Sequence, residues 1–307
     1  MPDIILKTNN VTKKSGEQIS VNNVNMTIKK GTIYGFIGRN GAGKTTLIRM
    51  ITGLSNPTNG EIELFGEKGE NNLNKGRRYI GSLIESPTFY KSMTAHENLE
   101  FSCLIRNIKD KKNIDEVLEL VGLADVGKKK VKNFSLGMKQ RLGIANALLG
   151  DPKLLILDEP INGLDPIGIV EIRETLKKIN KEKDITILIS SHILGELSEL
   201  ATTYGIISEG KLLEELTTEE LKEKCKQYID LRVDDSKKAA KVLEEELNIT
   251  DYEILDNKKI KIFSNLDDVK LINKTLIKAE IDVDKIGARG VNLEEYFLEI
   301  VGGEVNA

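Results

Sequence analysis

The 307-residue chain holds only two cysteines, Cys103 and Cys225. Two thiols build neither a disulfide framework nor a zinc site, so both read as free thiols of a reducing compartment. No stretch reaches the ~18 consecutive apolar residues that a membrane-spanning helix needs. The longest apolar runs, Leu154 to Leu157 and Ile185 to Ile189, have the length of buried strands. The opening Met1-Pro2-Asp3-Ile4-Ile5-Leu6-Lys7 has no charged-then-apolar signal layout. Neither sign of charge dominates: 45 Lys and Arg stand against 48 Asp and Glu, for a net charge of −3. That balance excludes general charge-driven binding of nucleic acid. Even Lys128-Lys129-Lys130 lies among acids and reads as a solvated helical face. Internal repeats and low-complexity tracts are missing too. What remains is a globular composition, 39% apolar and 30% charged, expected in the cytoplasm with any membrane tie made by a partner.

The first 35 or so residues read as strands, at Ile4 to Leu6, Val21 to Ile28 and Thr32 to Ile37, with Lys30-Gly31 as a turn. A helical pattern follows from Thr45 to Thr52. Residues 88–150 are mostly helical, with a capping box at Thr94 to Glu97 and a stop at Gly150-Asp151-Pro152. Leu154 to Leu157 is a buried strand; Asp165-Pro166 reads as N-cap and N1 of a helix reaching about Asn180, and Ile185 to Ser190 is a further strand. Alternating strands and helices imply a largely parallel sheet covered by helices. Past about residue 225 the order becomes β-α-β-β-α-β: strand Tyr228 to Val233, helix Lys237 to Leu247, a hairpin around Asp256-Asn257, and helix Val269 to Ala279. Asn292 is placed as the cap of a last helix carrying Leu293, Tyr296, Phe297 and Ile300.

Between strand and helix stands Gly38-Arg39-Asn40-Gly41-Ala42-Gly43-Lys44-Thr45, a full match to G-x-x-x-x-G-K-[ST], followed by Thr46. Its glycines let successive N–H groups face one concavity, which suits phosphate oxygens, and the helix adds its positive end. In this pattern Lys44 neutralises β- and γ-phosphate charge and the Thr45 hydroxyl reaches Mg²⁺. The spacing does not fit the G-x-G-x-x-G dinucleotide loop. A guanine reader of Asn-Lys-x-Asp form is missing, since Asn74-Lys75-Gly76-Arg77 and Asn273-Lys274-Thr275-Leu276 both lack the aspartate.

Leu154-Leu155-Ile156-Leu157-Asp158-Glu159 ends an apolar strand on two acids. A buried strand fixes its terminal side chains, so Asp158 suits Mg²⁺, through a water, and Glu159 suits polarising an attacking water. Here the chain resembles the ATP-binding cassette (ABC) ATPases. Phe134-Ser135-Leu136-Gly137-Met138-Lys139-Gln140 resembles their L-S-G-G-Q signature, with Ser135 and Gly137 at the positions that contact the γ-phosphate. Asn162-Gly163-Leu164-Asp165 resembles the D-loop, and Ile189-Ser190-Ser191-His192 the loop whose histidine senses the γ-phosphate. His96, the second of two histidines, reads as a surface residue of a capped helix.

Two departures are informative. Ser15 stands where the family stacks an aromatic on adenine, which implies that the base is held more weakly or by apolar neighbours such as Val21. Glu85 stands where the family has a metal-touching glutamine, and this variant loop resembles bacitracin-resistance and lantibiotic-immunity ATPases. The resemblance implies an α/β P-loop fold with a mixed sheet core in residues 1–224, a helical subdomain in 88–150, and an accessory α+β domain in 225–307. It implies ATP and Mg²⁺ as cofactors, a head-to-tail homodimer with composite ATP sites, and a separate membrane permease on the inner face of the plasma membrane. A ribosome- or chromosome-acting ABC ATPase is the rival reading, but neither a second cassette nor a coiled-coil insertion is present. A regulatory module that barely hydrolyses is opposed by the presence of both Glu159 and His192.

Overall fold

The computed structural model describes residues 2–109, 113–225, 227–289 and 293–303. The chain divides into two compact units, Met1–Thr218 and Glu219–Ala307. The first opens with strands β1 (Ile4–Ser15), β2 (Gln18–Val24), β3 (Thr27–Lys29) and β4 (Ile33–Ile37), then helix α1 (Lys44–Thr52). Strands β5 (Asn59–Leu64) and β6 (Glu67–Lys68), helix α2 (Glu70–Arg77) and strand β7 (Ile80–Leu83) come next. Helices α3 (Ala95–Ile105), α4 (Asn113–Leu120) and α5 (Leu136–Leu148) follow. Then come β8 (Leu154–Asp158), α6 (Pro166–Lys183), β9 (Thr186–Ser191), α7 (Leu194–Leu197), β10 (Thr203–Ser208) and β11 (Lys211–Thr217).

Among the described residues the central sheet runs β11-β10-β4-β9-β8-β7, and every neighbouring pair is parallel except β10 with the edge strand β11. Strands β4, β8 and β9 are buried along their whole length, which is why their sequences run apolar without alternation. A separate antiparallel sheet, β2-β1-β5-β6 with β3 against β1, carries the N-terminal strands. Ile5, Leu6, Val24, Ile28 and Leu64 of this sheet join Phe36, Leu47, Ile156 and Leu188 in one apolar core.

Tyr34 locks β4 in place. It is fully buried, and its hydroxyl donates to Glu215 Oε1 at 2.8 Å. A Cβ at Gly205 would lie 2.1 Å from that hydroxyl oxygen, so only glycine fits beside it. Burial, and then the neighbouring Glu215 charge, hold the phenol well above its ordinary value of 10.0. The unfolded chain releases this proton first, so the contribution is intact below that value and is lost as pH rises beyond it. Melting temperature is therefore expected to fall above about pH 10. Tyr34→Phe is expected to flatten that fall, as read from thermal melts across the alkaline range.

The helical stretch starts as its sequence indicates. Thr94 Oγ1 accepts the Glu97 N–H at 3.1 Å, and the Glu97 carboxylate accepts the Thr94 N–H at 2.6 Å. Lys128 to Lys130, expected on a helical face, instead follow Gly127 (φ 50°) in a turn between two short 3-10 segments. This positive-φ glycine ends the first segment before the lysines begin. Farther on, α5 lies backbone to backbone on β7: a Cβ at Gly81 would stand 2.0 Å from the Ala147 carbonyl oxygen. Gly143 is also close-packed, here against side chains, with Leu83 and Pro87 each 3.1 Å from a built Cβ.

Helix α8 (Thr218–Lys224) begins at the division between the units. Beyond it come β12 (Tyr228–Val233), α9 (Ser236–Leu247), β13 (Tyr252–Asp256), β14 (Lys259–Ile262), α10 (Val269–Lys278), β15 (Val283–Arg289) and α11 (Leu293–Gly303). The sheet order is β13-β14-β12-β15, all antiparallel, so the strands pair as a ferredoxin-like β-α-β-β-α-β unit. Its core is Ile229, Leu231 and Val233 against Leu243, Ile260, Ile262, Ile272 and Leu276. The Asn292 cap lies outside the described residues.

Candidate functional site

Strand β4 runs straight into the glycine loop, and α1 begins at Lys44. Gly41 and Gly43 have φ of 84° and 109°, a region that L side chains rarely enter. A Cβ at Gly38 would stand 2.5 Å from the Ile207 carbonyl oxygen. Helix α1 has no side-chain N-cap and no acid in its first turn, so its free N–H groups and positive end face the loop. Asn40, Gly41, Gly43, Lys44, Thr45 and Thr46 line a cavity of about 140 Å³, joined by Ser20 and Glu159. Gly38, Arg39 and Ala42 brace the loop behind them: Gly38 N–H donates to Ser191 O at 3.3 Å, and Ala42 N–H to Arg39 O at 3.0 Å.

The two acids ending β8 converge on this loop. Thr45 Oγ1 donates to Asp158 Oδ2 at 2.7 Å. Lys44 Nζ, almost fully buried, lies 3.1 Å from Glu159 Oε1 and also donates to the carbonyls of Gly38 and Arg39. His192 Nδ1 is 3.0 Å from Glu159 Oε2, which also accepts from Asn162 Nδ2 at 3.2 Å. Glu159 itself has φ 48°, left-handed backbone that aims its carboxylate between Lys44 and His192. Glu85 stands apart: it also has positive φ, its carboxylate pairs with Arg49 of α1, and it does not line the phosphate cavity.

Ser135, Gly137 and Asp165 line a second cavity of about 380 Å³ with Arg141, Gly163 and Leu164. Ser135 is the N-cap of α5, its Oγ accepting the Met138 N–H at 3.2 Å. Asp165 caps α6, accepting the Gly168 N–H at 3.1 Å. The two cavities share no lining residue. Around the second, Leu136, Ile167 and Val170 are exposed, as is Ile193 beside His192.

Val21 does not serve as an apolar neighbour of the base: it is completely buried in the core with Val24 and Met26, so it offers no face to adenine. Ser20, at an irregularity in the pairing of β2 with β1, lines the cavity instead. Ser190, Asn162 and Arg141 carry no role of their own in the sequence-based expectations. Ser190 and Asn162 lie in the segments matched to the histidine loop and the D-loop, and Arg141 lies one residue past the signature. Motif position was the only signal for them.

A glycine loop at a strand–helix junction, with a lysine, a hydroxyl and two strand-end acids around it, defines a P-loop nucleoside triphosphatase. The ABC transporter family profile matches residues 21–162. The chain is 50% identical over 299 residues to the bacitracin transport ATP-binding protein BcrA of Bacillus licheniformis, covering 97% of this chain and 98% of that one. It is 47% identical over 209 residues to the lantibiotic transport ATP-binding protein SrtF of Streptococcus pyogenes, covering 68% of this chain and 89% of that one. A dimeric ATP-binding cassette solved in a post-hydrolysis state with ADP and Pi superposes with TM-score 0.62 at 29% identity, covering 70% of this chain and 99% of that one. This chain belongs to the ABC transporter family, as an ATP-binding cassette that hydrolyses ATP. Among its described residues no helix is long and apolar enough to cross a membrane.

Proposed function

We propose that this chain is the ATPase subunit of a transporter that moves bacitracin- or lantibiotic-type peptides, acting as a head-to-tail homodimer beneath a separate permease. The carrying observation is that the chain holds two half-sites with no lining residue in common. A second copy, rotated by two-fold symmetry, brings the Ser135 end of its α5 over the glycine loop of the first. That helix has no acid in its first turn, so its positive end is free to meet a γ-phosphate. The exposed Leu136, Ile167, Val170 and Ile193 are the apolar surface such a contact would bury.

In this reading Lys44 and the loop N–H groups neutralise the β- and γ-phosphates, Glu159 polarises the attacking water, and His192 donates to the γ-phosphate. Thr45 and Asp158 supply hard oxygen donors at 2.7 Å from each other, the donor set Mg²⁺ favours. Among the described residues no cluster of three or more His, Cys, Asp or Glu is arranged to hold a metal. The remaining ligands therefore come from phosphate and water, as is usual for Mg²⁺ with nucleotides. Glu85, whose Oε1 is paired with Arg49, has its second carboxylate oxygen to offer the metal.

The permease is assigned to a cavity of about 870 Å³ lined by Ile80 and Ser82 of β7, Arg106 to Ile108 after α3, and Asn146 and Ala147 of α5. Exposed Tyr79, Leu104 and Ile105 lie on the same elements or next to them. This contact would hold the cassette on the inner face of the plasma membrane. Identity of 50% over nearly the full length of a bacitracin transport ATP-binding protein supports the substrate class. The test is the minimum inhibitory concentration of bacitracin, and of a lantibiotic, for the source cell carrying wild-type protein or Glu159→Gln. Tolerance of at least one is expected to drop severalfold; unchanged tolerance of both would reject the substrate class.

A further inference from the structure

Ser190 lies on β9 in parallel register with Asp158, and it is completely buried. Its hydroxyl donates to Asp158 Oδ1 at 2.6 Å and accepts the Glu159 N–H at 2.9 Å. Asp158 Oδ2 is meanwhile held by the Thr45 hydroxyl at 2.7 Å. One side-chain oxygen is thus bonded to both acids of the site, using its single proton and a lone pair. Each bond has a separate consequence. The first stops the Asp158 carboxylate from rotating, so that Oδ2 keeps facing Thr45. The second holds the N–H of a residue whose φ of 48° L side chains rarely adopt, and such a conformation persists only where neighbours over-determine it. That conformation sets Glu159 Oε1 3.1 Å from Lys44 Nζ and Oε2 3.0 Å from His192 Nδ1.

We infer that Ser190 is a positioning residue for ATP hydrolysis, its hydroxyl orienting Asp158 toward the metal–nucleotide and Glu159 toward the attacking water. The inference rests on the roles proposed above for those two acids. A residue with a merely structural role would lower stability and leave metal dependence untouched.

The test compares Ser190→Ala, which deletes the hydroxyl, with Ser190→Thr and Ser190→Val, which share a shape and differ in the hydroxyl. Turnover, thermal melts, and binding of a fluorescent ATP analogue with and without Mg²⁺ are measured on the full chain. For Ala and Val, kcat is expected to fall about 100-fold, the scale of a small misplacement of catalytic groups. The gain in nucleotide affinity on adding Mg²⁺ is expected to weaken at least about 10-fold, as for other groups that orient a metal ligand. Binding without Mg²⁺ should be unchanged, and Thr should stay close to wild type. Three results overturn the inference: Ala with wild-type kcat and Mg²⁺ response, Thr and Val behaving alike, or losses that track the unfolded fraction in the melts. Glu159→Gln, run beside them, separates the layers. If it keeps full turnover the site assignment itself fails; if it is inactive while Ser190→Ala is normal, only the role of Ser190 fails.

Discussion

Glu159→Gln is expected to stop ATP turnover while leaving ATP able to bind, so that a dimer appears in light scattering only with ATP and Mg²⁺ present. The amide keeps the shape of the side chain and can still bond to Asn162 or His192, both within 3.2 Å of the carboxylate. What it loses is the charge that draws a proton from water. Removing a positioned general base costs about 10²- to 10⁴-fold in rate, or ~3–5 kcal/mol of barrier. The substitution also removes the negative partner of buried Lys44, which leaves the lysine freer to bind phosphate. Binding should therefore hold or tighten while chemistry stops, and the ATP-joined dimer should accumulate. A variant that stays monomeric and hydrolyses like wild type would sink the assignment.

Two inactive variants are expected to restore each other when mixed. Lys44→Ala removes the cation from the glycine-loop cavity, and Ser135→Arg fills the mouth of the other cavity. Each alone leaves no complete site in a homodimer. In a mixed dimer, the Ser135→Arg chain supplies an intact glycine loop and the Lys44→Ala chain an intact signature. Random pairing makes half the dimers mixed with one good site of two, so activity should return to about a quarter of wild type if sites act independently. A site contained within one chain predicts no recovery at all. Steady-state phosphate release on a titration of the two proteins decides between them.

Much of this site was legible in the sequence because its parts are local. The glycine spacing from Gly38 to Gly43 dictates a backbone shape, and the run Leu154 to Leu157 dictates a buried strand that must present Asp158 and Glu159 at its end. Capping signals at Thr94 and Asp165 worked for the same reason, since each bonds to N–H groups within three residues. What escaped depends on pairing across the fold. Ser190 bonds to acids more than thirty residues away, and no local pattern ties them. Val21 is apolar and close in sequence to the loop, but its burial is set by the core it joins and by the irregular pairing of β2 with β1, neither of which is local in sequence. The ion pair of Glu85 with Arg49 likewise joins residues 36 positions apart in sequence.

The direct backbone contact between α5 and β7 has a mechanical consequence. Gly81 lets the strand meet the Ala147 carbonyl with no side chain between them, and the side chains of Leu83 and Pro87 pack onto Gly143. Side-chain layers can yield by changing rotamers; backbone against backbone has no such slack. Helix α5 therefore behaves as a stiff rod of 13 residues, about 20 Å long, clamped near its far end to the strand that leads toward Glu85. Its N-terminal end carries Ser135. Under the function proposed above, a push on that end is expected to reach Asn146 and Ala147, which line the cavity proposed for the permease, as a tilt of the whole helix.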